Sequence, residues 1–251
     1  MLAKTSGDES ISRQVDAISW LPTAILVAAA LSCAIFALFP NLDVTTSGLL
    51  YGSDQGFVGR KVVTIEWLRL AFKGFFVLCC ALAISGLIVT RDRTRAWLGL
   101  VFKNWLFLAI GLAMGPGVVA NLALKDHWGR ARPNQIVEFG GTKSFTMALT
   151  PSDQCDRNCS FISGEASSTF TVFFAGAFLF RRRSAPLIIA GVAGGAITGL
   201  VRMSQGAHFL SDIVFAGLLM LLTVVALNFV FEVVAEAGHP TSATALSGVE
   251  A

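Results

Sequence analysis

The chain has 251 residues, of which 54% are hydrophobic and 14% charged, with a formal net charge of +3 and a mean hydropathy of +0.68. Soluble domains carry about 25% charged residues, and here the apolar residues gather into long runs, so the sequence reads as an integral membrane protein. So small a net charge argues against a nucleic-acid partner.

Residues 1–17 are polar and of mixed charge, and read as an N-terminal segment ahead of the membrane domain. The first apolar run, about 18–39, is long enough to span a bilayer. Its leader is long and carries acids, and no small-x-small site follows it cleanly, so an uncleaved helix is expected. Residues 40–63, with Pro40 and several glycines, read as a loop with room for a short interfacial helix. A second run, about 71–90, is closed by Arg91, Arg93 and Arg95. The third, about 97–124, contains Gly115-Pro116-Gly117. A kink is predicted there, because proline removes a backbone donor and crowds the preceding turn.

Residues 125–162 form the longest polar stretch. The fourth run, about 165–180, is short, is expected to be lengthened by a preceding helical segment, and is stopped by Arg181-Arg182-Arg183. The fifth, about 186–201, carries Gly191, Gly195 and Gly199 at four-residue spacing, a pattern for close helix packing. The sixth covers about 213–234, and 236–251 reads as a disordered tail. The expected fold class is all-α: a polytopic bundle of six transmembrane helices over residues 18–235.

Six spans put both termini on one side. Arg91–Arg95 and Arg181–Arg183 fall in connections on that side, which the positive-inside rule makes the cytoplasm. The arginine triplet reads as this topology signal. The segments 40–63, 125–162 and 202–212 then face outward, away from the cytoplasm.

Three outward segments carry chemistry. The first is Lys125-Asp126-His127-Trp128-Gly129-Arg130-Ala131-Arg132-Pro133, the second Ser160-Phe161-Ile162-Ser163-Gly164-Glu165, and the third runs from Arg202 to Asp212. Lys125, Arg132 and Arg202 can converge on one multiply charged anion. Ser163 and Gly164 stand at a helix start, where free N–H groups favour phosphate. His208 and Asp212 are four apart, so one carboxylate oxygen can accept an imidazole N–H and leave the other nitrogen free to attack. Arg130 touches phosphate or is solvated; Trp128 reads as an interfacial anchor.

The spacing Lys-x6-Arg-Pro, then Ser-Gly, then Arg-x5-His-x3-Asp resembles the type 2 phosphatidic acid phosphatase (PAP2) superfamily over about residues 97–235. The resemblance implies a metal-independent lipid phosphatase without a cofactor. In that reading Lys125, Arg132, Arg202, Ser163 and Gly164 hold the phosphate, His208 becomes a phosphohistidine, and Asp212 orients it. The family's second motif usually reads Pro-Ser-Gly-His, with the histidine as acid to the leaving group. Here Glu165 occupies that place. It is expected to act as the acid, which requires a raised pKa and favours mildly acidic pH; His127 is the rival.

The Cys-Ser-Phe-Ile-Ser-Gly-Glu stretch ending at Glu165 is similar to lipid A phosphatases of Gram-negative bacteria. The substrate expected first is therefore lipid A, at its 4′-phosphate. Undecaprenyl diphosphate, phosphatidylglycerophosphate and phosphatidic acid are alternatives. A lipid phosphotransferase and a non-catalytic lipid-phosphate binder also stay open. The partners are the substrate and the bilayer; neither nucleic acid nor a protein partner is expected. Cys155 and Cys159 lie in the outward loop and form either a disulfide or two free thiols, too few ligands for a metal. Cys33, Cys79 and Cys80 read as apolar fillers in spans.

Overall fold

The computed structural model describes residues 21–237. The expected N-terminal segment 1–17, and all but the first two residues of the tail 236–251, lie outside the described residues. The chain forms α1 (Leu21–Leu38), α2 (Leu42–Gly48), a hairpin of β1 (Tyr51–Gly52) and β2 (Gly56–Phe57), α3 (Val63–Val89), α4 (Phe102–Lys125), α5 (Gly164–Leu179), α6 (Ser184–Ser204) and α7 (Leu210–Ala237). Among the described residues, five helices are long and apolar enough to cross a membrane: α1, α3, α4, α6 and α7. Their outer faces fit a hydrocarbon solvent. On α3 alone Trp67, Val77, Ile84 and Ile88 are exposed, as an apolar surface without water allows.

The remaining helix of the expected six, α5, has only 16 residues. At 1.5 Å per residue it reaches about 24 Å, against about 30 Å of hydrocarbon. The helical lead-in expected before it is absent. Ser163 is extended and caps the helix, its Oγ accepting the Ala166 N–H at 3.4 Å. Instead of meeting lipid, α5 packs among α3, α4, α6 and α7. The hydroxyls of Ser167, Thr169 and Thr171 bond back to carbonyls one turn earlier. A helix too short to cross the hydrocarbon thus satisfies its hydroxyl donors internally and sits at the centre of the bundle.

The glycine stripe of α6 makes that centre possible. A methyl group at Gly195 would fall 2.3 Å from Phe170 Cε1, and one at Gly199 2.4 Å from Ile213 Cγ2. The proline of α4 is absorbed differently from a simple kink. The helix is α-helical to Leu112 and widens to a π-helix over Ala113–Lys125. Asn121 Nδ2 donates to the Pro116 carbonyl at 2.6 Å within this widened stretch. At the α4 C-terminal end, Phe57, Ile136, Phe139 and Phe209 form a second small core that caps the bundle. Gly206 links α6 to that cap with φ +64°, and a side chain there would meet the Phe57 ring.

Candidate active site

Main-chain hydrogen bonds tie the three outward segments together. Cys159 N–H donates to the Lys125 carbonyl at 3.0 Å and Ser160 N–H to that of Arg130 at 2.8 Å. Ser163 N–H donates to the Asp212 carbonyl at 3.3 Å, and Asn134 N–H to that of Gly206 at 3.0 Å. Residues 125–134, 159–163 and 206–212 are therefore one folded unit at one end of the bundle.

His208 is 1% exposed. Its Nδ1 lies 2.7 Å from the Ser160 carbonyl and 3.5 Å from Asp212 Oδ2. A carbonyl oxygen can only accept, so Nδ1 carries the proton and Nε2 keeps its lone pair. Asp212 was expected as the acceptor of that N–H, but the carbonyl is the nearer. Burial pushes the His208 pKa down to about 4; the Asp212 hydrogen bond opposes this, and the charges of Lys125 and Arg202 add to it. The imidazole is neutral at pH 7.

Asp212 faces more partners than His208. Its Oδ2 accepts from the Phe209 N–H at 2.8 Å and from the Ser160 hydroxyl, and its Oδ1 from Arg130 Nη1 at 2.6 Å. Arg130 is 0% exposed, so it is neither solvated nor turned to a ligand. Its second arm donates to Asp43 Oδ2 at 2.7 Å, its Nε donates to the Thr146 carbonyl at 2.9 Å, and its guanidinium stacks 4.2 Å over the Phe209 ring. Asp43, on α2, also accepts from Ser211 N–H and Oγ. A buried Asp43–Arg130–Asp212 chain fixes the carboxylate behind His208.

The cations meet on the open side. At Gly164 a methyl group would lie 2.9 Å from Asn121 Oδ1 and 3.3 Å from Lys125 Nζ, so glycine lets the Lys125 ammonium reach the α5 N-terminus. The Gly164 and Glu165 amides there have no intrahelical partners. Arg132 donates to the Asn158 carbonyl at 2.7 Å. Burial lowers its pKa; Asp212 and Glu165 oppose this, while Arg60 and Arg69 reinforce it. Arg202 donates through Nη1 to Gln205 Oε1, and its buried Nε has no hydrogen-bond partner among the described residues. Such a donor costs about 1–3 kcal/mol until something accepts from it.

Glu165 belongs to a closed ring of side chains. It accepts from Arg69 Nη2 at 2.9 Å and Nε at 3.1 Å, and lies 3.8 Å from Arg202 Nε. Arg69 also donates to Glu66, which accepts from Gln205 Nε2 at 3.0 Å, and Gln205 returns to Arg202. Burial alone would push the Glu165 carboxyl up. The Arg69 hydrogen bonds and the charges of Arg202, Arg69 and Lys73 outweigh it and hold Glu165 below the usual range. That is opposite to the raised value expected of an acid. His127 is exposed and turns Nδ1 to the Leu122 carbonyl at 2.9 Å, so it is not drawn into this cluster. Among the described residues, no three His, Cys, Asp or Glu side chains stand together as a metal site.

Two further features border the site. A cavity of about 200 Å³ between α3, α4 and α5 is lined by Lys73, Asn121, Lys125 and Glu165 on one side and by Phe72, Phe76 and Val77 on the other. Cys155 and Cys159 are joined by a disulfide, and within that ring Asn158 presents the carbonyl that holds Arg132.

A family model for the PAP2 superfamily matches residues 102–235. The chain belongs to the PAP2 superfamily. Two relatives named lipid A 4′-phosphatase are similar to it. One, from Francisella tularensis subsp. novicida (strain U112), is 36% identical over 75% of this chain and 85% of its own length. The other, from Rhizobium leguminosarum, is 33% identical over 77% and 89%. A transmembrane PAP2-type phosphatidylglycerolphosphate phosphatase from Bacillus subtilis has the same fold, with a TM-score of 0.54 over 88% of this chain and 99% of its own, at 17% identity.

The PAP2 motifs account for Lys125, Arg132, Ser163, Gly164, Arg202, His208 and Asp212, which the fold gathers. Sequence reasoning missed Asp43, Arg60, Glu66, Arg69 and Gln205. For α3 a signal existed: Glu66, Arg69 and Lys73 recur three and four residues apart on one helical face beside an apolar run.

Proposed function

We propose that the chain is a lipid A phosphatase that removes the 4′-phosphate through a phosphohistidine at His208. The phosphate docks on Lys125, Arg132, Arg202 and the Gly164 amide, and gives Arg202 Nε the hydrogen-bond acceptor it lacks among the described residues. His208 Nε2 attacks phosphorus, the bond to the sugar oxygen breaks, and that oxygen leaves with a proton. Nδ1 keeps its own proton throughout, held by the Ser160 carbonyl, while the Asp212 carboxylate balances the charge on the ring. Water then attacks phosphorus, releases inorganic phosphate and returns Nε2 to its neutral state. The cations neutralise the equatorial oxygens at each step.

In the free site Glu165 is the counter-ion of Arg69 and Arg202. A phosphate dianion that takes over Arg202 leaves Glu165 beside new negative charge, which raises its affinity for a proton. Glu165 thereby becomes the acid to the sugar oxygen only once substrate is bound. The apolar wall of the cavity at Phe72, Phe76 and Val77 suits an acylated substrate held at the bilayer edge. The Arg91–Arg95 and Arg181–Arg183 clusters at the far end support a periplasmic site and cytoplasmic termini in an inner membrane.

The observation that carries this reading is the fixed Nδ1–H tautomer, which leaves one unprotonated imidazole nitrogen among cations. The substrate comes from the relatives' names. The test is phosphate release by the purified chain from lipid A, undecaprenyl diphosphate, phosphatidylglycerophosphate and phosphatidic acid, with mass analysis of the lipid A product. Loss of the 4′-phosphate, abolished in His208→Ala, is expected. Release from another lipid alone would overturn the substrate, and release surviving in His208→Ala would overturn the nucleophile.

A further inference from the structure

The opposite end of the bundle carries a second concentration of positive charge. There α4 begins, α5 turns into α6, and α7 reaches Glu232. Between them lies a cavity of about 620 Å³, lined by Lys103, Arg181, Arg182 and Arg183 and floored by Phe107 and Phe231. Among the described residues its one lining carboxylate, Glu232, is engaged by Arg181 at 2.5 Å. Lys103, Arg182 and Arg183 form no ion pair among the described residues.

A second cavity, of about 520 Å³, opens beside it along α4 and α7. Its walls are mostly apolar, including Leu106, Ile110, Val230 and Val234, and Arg93 and Lys103 also line it. The two cavities share Lys103 and Phe231. A cationic chamber therefore opens into an apolar trough that runs along the helices. Ile110, the α4 residue of these cavities nearest the catalytic end, still precedes Lys125 by 15 residues, about 22 Å of helix, and neither cavity is lined by a residue of the site around His208.

We propose that this pair of cavities binds an anionic phospholipid, with its phosphate head among Lys103, Arg182 and Arg183 and an acyl chain in the α4–α7 trough. The charge decides the head group. A zwitterionic lipid would bring an ammonium into a chamber lined mainly by cations, whereas an anionic one adds negative charge where, among the described residues, Glu232 is the one lining carboxylate and is already paired. The trough decides in favour of a lipid over a soluble anion, because a free phosphate would leave the apolar walls unused. Arg181–Arg183 thus does more than orient the chain in the membrane: it helps to form a lipid seat.

Native mass spectrometry of the full-length chain in detergent tests this, with phosphatidylglycerol and phosphatidylcholine as probes. Wild type is expected to retain one more phosphatidylglycerol than the triple variant Lys103→Gln, Arg182→Gln, Arg183→Gln. Affinity should fall roughly a hundredfold at about one order of magnitude or less per cation. Arg182→Gln alone, at an exposed side chain, should weaken retention severalfold and serves if the triple variant does not fold. Phosphate release should be unchanged in both. Equal retention of phosphatidylcholine, retention indifferent to the substitutions, or displacement by soluble glycerophosphoglycerol as effective as by lipid would each overturn the proposal.

Discussion

Replacing Asp43 tests whether the site depends on a residue from the first loop. Asp43 is 2% exposed and accepts from Arg130 Nη2 at 2.7 Å, from the Ser211 N–H at 2.9 Å and from Ser211 Oγ. Asp43→Ala removes all three bonds and leaves Arg130, itself 0% exposed, with one carboxylate where it had two. Breaking a buried ion pair by removing one partner costs about 3–5 kcal/mol. At about 2–4 °C per kcal/mol for a chain of this size, the melting temperature should fall by about 6–20 °C. Asp43→Asn keeps the shape and one acceptor, so it should lose roughly half as much. Activity should fall further than folding alone explains. Arg130, freed on one side, draws on Asp212 alone, and the carboxylate behind His208 is no longer fixed. The assay is thermal unfolding of the detergent-solubilised chain, together with phosphate release measured well below the melting point. A melting temperature within about 2 °C of wild type, with unchanged turnover, would refute the claim that this chain of charges supports the site.

Other predictions rest on single features. Glu165→Gln should lower kcat by about a hundredfold or more, as loss of a general acid does, and should remove the basic limb of the kcat profile; an unchanged kcat would leave Glu165 a counter-ion only. The acid limb of kcat/KM, which reports the free enzyme, should follow His208 and fall near pH 4 rather than near the ordinary histidine value of about 6.5. The same depressed value means the unfolded chain takes up a proton between these pH values that the folded chain does not, so stability should fall as pH drops through that window. Replacing Cys155 and Cys159 by serine should raise KM severalfold and spare kcat, because Asn158 would no longer be held against Arg132; an unaltered KM would separate the disulfide from phosphate binding. Gly195→Ala should cost about 1–3 kcal/mol by forcing a methyl group into the Phe170 ring, measured as a lower melting temperature with KM unchanged.

What the sequence made legible, and what it hid, follows from how each group is connected. Lys125, Arg132, Arg202, His208 and Asp212 were readable because each stands at a fixed spacing from another and at the edge of an apolar run. Arg130 read as a phosphate contact or a solvated charge because its partners are remote: Asp43 is 87 residues away and Asp212 is 82. No local spacing announces a pair made across the whole fold. Glu165 was legible in place but not in state. Its protonation depends on Arg69, 96 residues upstream, and that arginine sits in the helical lead-in that hydropathy alone trims away. The same reason explains α5. Its shortness is legible, but only neighbours that cover it on most sides make a 16-residue helix sufficient. The polar residues inside this membrane protein are thus organised in two layers. Those proposed to hold the phosphate keep family spacing and can be read in one dimension. Those that hold them in place, Asp43, Arg130, Glu66, Arg69 and Gln205, are constrained by contacts between distant segments. Any substitution among the second group should therefore act on turnover through the first, and that dependence is what the Asp43 variants measure.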